Sequence, residues 1–251
     1  MGYSTDSSLV VVADGTDEAK RKIKIIRGDL LMMGSNYYAQ KLNSQKLFKV
    51  YETKIPRVKQ YLDAEISFVK DNLTGSEKVL ELGAGYGRII KELAGYCKSI
   101  VGIDISDENV SLGKEYLKDV PNAKSITMDV HNLTFDKRFD IILCLQNGLS
   151  AMKVTSSDSI KKILEIVVSG GKAYFSTYSG KFWKYRVMWF KEQAEKGLLG
   201  ELDLDKTKDG VIICKDSFKA ITHTPENLKM LGDSSGYEYL IQEVDESSVF
   251  L

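Results

Sequence analysis

The sequence predicts an α/β fold built on a mostly parallel sheet. Three observations carry that expectation. Lys78 to Leu82 is a short apolar strand; glycines follow at 83, 85 and 87, and Ile89, Ile90 and Leu93 then resume at helical spacing. Further along, short apolar runs alternate with amphipathic helical stretches. One of those runs, Phe139 to Leu145, is near-continuously apolar, as a strand buried on both faces requires.

Composition narrows the functional classes. A chain of 251 residues suits one large α/β domain. With 35 basic and 35 acidic residues, the neutral balance speaks against a nucleic-acid partner. At 43% hydrophobic residues, a sizeable core can be buried. No apolar run approaches the roughly 18 residues of a membrane span, and the start lacks the basic, apolar, small-residue order of a signal peptide. Cys97, Cys144 and Cys214 are far apart and read as reduced thiols of a cytoplasmic protein. Two histidines and scattered cysteines make no zinc pattern, so no metal is expected.

Residues 1–31 form an N-terminal extension with three open readings. They are a small hairpin, a disordered segment, or translated leader ahead of a natural start at Met32 or Met33. Residues 32–72 carry two helical stretches. Asn36 to Lys54 holds Tyr37, Tyr38, Leu42, Leu47, Phe48 and Tyr51, and Pro56 opens an amphipathic helix reaching Leu73.

After the glycine turn, a helix is expected over Ile89 to Tyr96 and a second strand over Ser99 to Asp104. Ser106 to Asn109 is a helix start with acids in its first turn. Ser125 to Met128 is the third strand, and Phe139 to Leu145 runs into Gln146, Asn147 and Gly148. A helix over Ser157 to Val168, a Gly170–Gly171 turn and a fifth strand over Lys172 to Thr177 follow, with Tyr178 at the strand's carboxyl end. Residues 180–223 exceed a minimal sheet. They read as an aromatic helix over Phe182 to Leu199, then a hairpin of Gly210 to Cys214 and Ser217 to Thr222. Thr224-Pro225 starts the last helix, and Tyr237 to Val244 and Ser247 to Leu251 are closing strands.

Two acids give the glycine turn its chemical sense. Glu81 and Asp104 each sit at the carboxyl end of a strand, where open α/β sheets bind ligands. A carboxylate there can accept both hydroxyls of a ribose. The dinucleotide fingerprint wants a glycine where this chain has Arg88, and Glu81 would repel a pyrophosphate but attract an ammonium group.

On the residues Glu81-Leu82-Gly83-Ala84-Gly85-Tyr86-Gly87, Val101-Gly102-Ile103-Asp104-Ile105-Ser106 and the later Asp129, the chain resembles the class I S-adenosylmethionine-dependent methyltransferases of small-molecule type, over roughly Leu73 to Ser179. The resemblance implies a Rossmann-like, doubly wound sheet of seven strands, mostly parallel with the last strand antiparallel. It implies a methyltransferase domain over residues 32–251, with cover helices at 32–72 and a helix-and-hairpin cap insertion at 180–223. By that resemblance the cofactor is S-adenosylmethionine and the product S-adenosylhomocysteine. Glu81 takes the methionine ammonium, Gly83, Ala84, Gly85 and Gly87 wrap the methionine and ribose, Asp104 with Ile105 serves the ribose, and Asp129 with Val130 holds the adenine. Leu145 and Gln146 complete the cofactor side. His131 lies at the adenine rim as a structural residue.

Tyr37, Tyr38, Asn147 and Tyr178 are the substrate-side candidates. Plainer readings stand beside the first three: Tyr37 and Tyr38 pack a helix onto the core, and the Gln146–Asn147 pair caps a turn. No catalytic residue can be named, because a base is needed only if the nucleophile must lose a proton. The leading expectation is methyl transfer to nitrogen or oxygen of a small molecule by a cytoplasmic monomer or homodimer. RNA or protein methylation and a non-catalytic cofactor-binding protein are the alternatives. A nicotinamide-dependent dehydrogenase comes last.

Overall fold

The computed structural model describes residues 45–135, 138–154 and 156–251. The extension at 1–31 and the candidates Tyr37 and Tyr38 lie outside the described residues. Among the described residues two helices precede the sheet, α1 (Gln45–Tyr51) and α2 (Pro56–Lys70), and Pro56 occupies the first turn of α2 where its missing N–H costs nothing. The sheet strands are β1 (Lys78–Leu82), β2 (Ser99–Asp104), β3 (Ala123–Thr127), β4 (Phe139–Cys144) and β5 (Val167–Tyr178). Helices α3 (Arg88–Leu93), α4 (Asp107–Tyr116), α5 (Gly148–Ala151) and α6 (Ser157–Leu164) intervene. Then come α7 (Trp183–Glu195), the hairpin strands β6 (Val211–Ile213) and β7 (Lys219–Ile221), α8 (Pro225–Ser235), β8 (Gln242–Val244) and β9 (Ser248–Phe250).

The seven-stranded sheet has the order β3-β2-β1-β4-β5-β9-β8. Strands β1 to β5 pair in parallel, while β9 runs antiparallel to both β5 and β8. The chain therefore enters at the centre, works outward through β2 and β3, and returns to β4. The order reverses between β1 and β4, and the crevice above that point is where such sheets bind ligands.

Alternation along the strands sends side chains to two cores. Val79 and Leu143 pack with Ile66 and Val69 of α2 and Ile90 and Leu93 of α3. Leu80 and Ile142 face the other way, onto Ile160 and Ile163 of α6 and Leu228 and Leu231 of α8. Each such buried aliphatic side chain is worth about 1.5–3 kcal/mol. A third core joins α7 and the β6–β7 hairpin to the start of α2, through Tyr61, Phe182, Trp189, Phe190, Ile212 and Phe218.

Four local expectations need correction. Strand β5 begins at Val167, so the helix before it ends at Leu164 and the Gly170–Gly171 pair lies inside the strand. The β-branched Val167 and Val168 favour the strand. The glycines serve an irregularity in the pairing between Phe139 and Ile141: Gly170 has φ +77°, and a Cβ on Gly171 would sit 2.6 Å from the Asp140 carbonyl oxygen. The first sheet helix stops at Leu93 and finishes as a 3₁₀ turn over Ala94–Tyr96. The α7 helix ends at Glu195, and Gly197 at φ +68° turns the chain out of it. At the sheet edge only Gln242–Val244 is strand; Tyr237, Tyr239 and Leu240 are exposed before it.

Candidate functional site

A cavity of about 430 Å³ opens at the carboxyl ends of β1, β2 and β4. That size falls within the range of small-molecule sites. The glycine turn forms its floor. Gly83 and Gly85 adopt φ +69° and +55°, and an added Cβ would meet Met152 Sδ at 2.9 Å and Leu47 Cδ2 at 2.7 Å respectively. Glycine is required there for conformation and for space.

Asp104 holds this floor in shape. One carboxylate oxygen accepts the Gly85 N–H at 2.9 Å. The other accepts the Ser106 N–H at 2.9 Å and the Asn109 amide at 3.1 Å. Ser106 in turn caps α4, so the acid is fixed relative to both the loop and the helix. Asp129 caps a 3₁₀ turn by accepting the His131 N–H at 2.9 Å and the Asn132 amide at 3.2 Å. The His131 Nε2 lies 2.9 Å from the Met152 carbonyl oxygen, which joins that turn to the far wall.

Glu81 is different. It is buried, and its Oε2 has no hydrogen-bond partner. Burial pushes its carboxyl up to about 8; the Arg88 guanidinium opposes the shift and Asp104 adds to it. Arg88 also lines the cavity, with Nε and Nη2 unpartnered and its guanidinium 4.5 Å from the centre of the Tyr51 ring. A buried acid and a buried guanidinium with open hydrogen-bonding positions share one wall, an arrangement that accepts a group bearing both an ammonium and a carboxylate.

Of the residues singled out in the sequence, Glu81, Gly83, Ala84, Gly85, Asp104, Ile105, Asp129, Val130, Leu145, Gln146 and Tyr178 line this cavity. Two do not. Gly87 enters α3 at φ +86°, where a Cβ would meet Leu117 Cδ1 at 2.8 Å, so its role is the turn. Asn147 is the other. Its amide donates to the Ile221 carbonyl at 2.8 Å and its carbonyl oxygen accepts the Thr177 hydroxyl at 2.9 Å, tying the hairpin to β5. Gln146 and Asn147 both adopt left-handed φ, 56° and 62°, which sends the two side chains to different sides. Gln146 keeps its place through its N–H to the Ser176 hydroxyl at 2.8 Å, and its Nε2 is buried without a partner.

Further lining residues come from the helices that flank the parallel strands. Tyr51 comes from α1, and Trp189, Phe190 and Gln193 come from α7. The aromatic spacing of α7 was visible, but which ring faces the cavity depends on how α7 crosses α2. Arg88 was read only as a departure from the dinucleotide pattern. Its position directly after the last glycine was the available signal.

Residues 79–171 match the methyltransferase domain family. That segment holds the glycine turn together with Glu81, Asp104 and Asp129. A ubiquinone biosynthesis O-methyltransferase of Coxiella burnetii (strain Dugway 5J108-111) is 28% identical over 123 residues, 48% of this chain and 52% of that protein. The chain spans about half the length of the curated relatives it matches. Among solved structures, the DhpI–SAH complex superposes with a TM-score of 0.60 at 16% identity, covering 88% of this chain and 94% of the other. The PH0226 protein of Pyrococcus horikoshii OT3 superposes with a TM-score of 0.58 at 16% identity, covering 86% and 95%. These likenesses are likenesses of fold.

Proposed function

We propose that the protein is an S-adenosylmethionine-dependent methyltransferase acting on a nitrogen or oxygen nucleophile of a small molecule. The observation that carries this reading is the unpartnered, buried Glu81 beside Arg88, set between the glycine turn and Asp104 at the switch point of the sheet. The residues fit the cofactor. Glu81 takes the ammonium and Arg88 the carboxylate of its amino-acid end, Asp104 the ribose hydroxyls, and Asp129 with the Val130 backbone the adenine. When bound, the cofactor supplies a methyl group activated by its sulfonium.

The chain's own residues then have two tasks. They hold the nucleophile in line, about 3 Å from the methyl carbon, and they keep water out. Tyr51, Tyr178, Trp189 and Phe190 give the acceptor side apolar walls, and Gln146 and Gln193 supply amides to orient a polar acceptor. A cavity closed by aromatic rings suits a small flat acceptor better than an RNA or protein chain. The partial similarity to a ubiquinone biosynthesis O-methyltransferase supports an oxygen nucleophile on such a molecule.

The test is a transfer assay with methyl-labelled S-adenosylmethionine and cell extract separated by ultrafiltration. Label is expected in the low-mass fraction. Label confined to RNA or protein would overturn the small-molecule reading.

A further inference from the structure

Glu65 is a carboxyl group that the binding scheme above leaves without a task. It is fully buried on α2, and neither of its oxygens finds a hydrogen-bond partner of full geometry. Residues 61, 65 and 68 share one face of that helix. The face lies on β5 and β9: Phe68 packs 4.4 Å from Phe250 between ring centres, and Tyr61 packs 5.3 Å from Tyr178. Between these contacts Glu65 meets the hydroxyls of Tyr61, Ser176 and Ser248 and, from α3, the Arg88 guanidinium. The Tyr178 and Tyr51 phenols and the Cys144 thiol complete its titratable surroundings. The Tyr61 and Ser248 hydroxyls beside it likewise lack a partner of full geometry. Unpaired buried polar atoms are costly and few in native proteins, so several around one acid call for a use. An apolar side chain at position 65 would pack this helix with less penalty.

From this geometry we infer that Glu65 is the proton acceptor for the methyl acceptor, reached through Tyr61 and Tyr178. The inference rests on the methyltransferase reading. Tyr178 lines the cavity, and Tyr61 stands between it and Glu65. As the nucleophile's lone pair forms the new bond to the methyl carbon, the carbon–sulfur bond breaks with its electron pair left on sulfur. The nucleophile's proton passes to Tyr178, the Tyr178 proton to Tyr61, and the Tyr61 proton to the Glu65 carboxylate. Burial pushes Glu65 up to about 7, so near neutral pH it can both take and return a proton. The acceptor class that needs such a relay bears a hydroxyl, a phenol above all. Tyr61 and Glu65 act through Tyr178 and are positioning residues.

The test uses the intact protein loaded with S-adenosylhomocysteine, with 4-nitrophenol as the probe. Its phenolate and phenol forms differ in absorbance. Near neutral pH the bound probe is expected as phenolate in the wild type. In Glu65→Gln and Tyr178→Phe the phenolate-to-phenol ratio falls about tenfold, the equivalent of one pKa unit, and Glu65→Asp restores part of it. Equal phenolate fractions in wild type and Glu65→Gln, or no probe binding by loaded wild type, would overturn the relay. Calorimetry with S-adenosylhomocysteine alone separates the two claims. Unchanged binding in Glu65→Gln is expected, and absence of binding by the wild type would instead overturn the methyltransferase reading.

Discussion

At the scale of single residues, the site turns on two acids placed differently. Asp104 accepts three backbone and side-chain donors, which set its geometry before any ligand arrives and leave acceptor capacity on Oδ2. Glu81 has an open oxygen, and burial holds its carboxyl up at about 8. Binding an ammonium requires the ionised form, so below that value binding must release a proton. The affinity for S-adenosylmethionine is therefore expected to weaken as pH falls from 8 towards 6, by up to about tenfold per unit. Glu81→Gln should bind weakly at pH 8 and show little further dependence on pH. Calorimetric titrations across that range check this, and a flat wild-type profile would contradict it. The same raised value has a consequence for stability without ligand. The contribution of a neutral Glu81 is fully present below the ordinary 4.5 and is lost as pH rises through about 8.

Elements position these residues through small devices that differ in legibility. The loop after β4 is one. Its left-handed pair lets Gln146 face the cavity while Asn147 fastens the β6–β7 hairpin to β5. Asn147→Ala should cost about 1–3 kcal/mol in denaturant unfolding, because the Ile221 carbonyl and Thr177 hydroxyl lose their partner. Its affinity for S-adenosylmethionine should stay near that of the wild type; a large loss there would return Asn147 to the binding site. The amide pair was legible as a polar turn at the mouth of the sheet. The division of labour within it was not, since it depends on two φ angles and on a hairpin some 74 residues away. By contrast the glycine turn, Glu81 and Asp104 were readable, because that device is local: strand, tight turn and helix start lie within one short stretch. Trp189, Phe190 and Gln193 were not, because they reach the cavity only through the packing of α7 on α2. Gly170 and Gly171 misled in the other direction. Glycines that read as a turn serve a strand irregularity instead.

At the scale of the whole molecule, the sheet order puts one crevice between β1 and β4, and the two helical additions close it. Helix α1 brings Tyr51 from one side and α7 brings Trp189 and Phe190 from the other, over a floor that carries Glu81, Asp104 and Asp129. The central claim is that this floor takes an adenosyl sulfonium compound and not a dinucleotide. Thermal unfolding with S-adenosylmethionine, S-adenosylhomocysteine and NAD in parallel tests it most directly, because a ligand held only by the folded state raises the melting temperature. The account predicts a rise with the two adenosyl compounds and none with NAD. A rise with NAD alone, or no rise with either adenosyl compound, would contradict it.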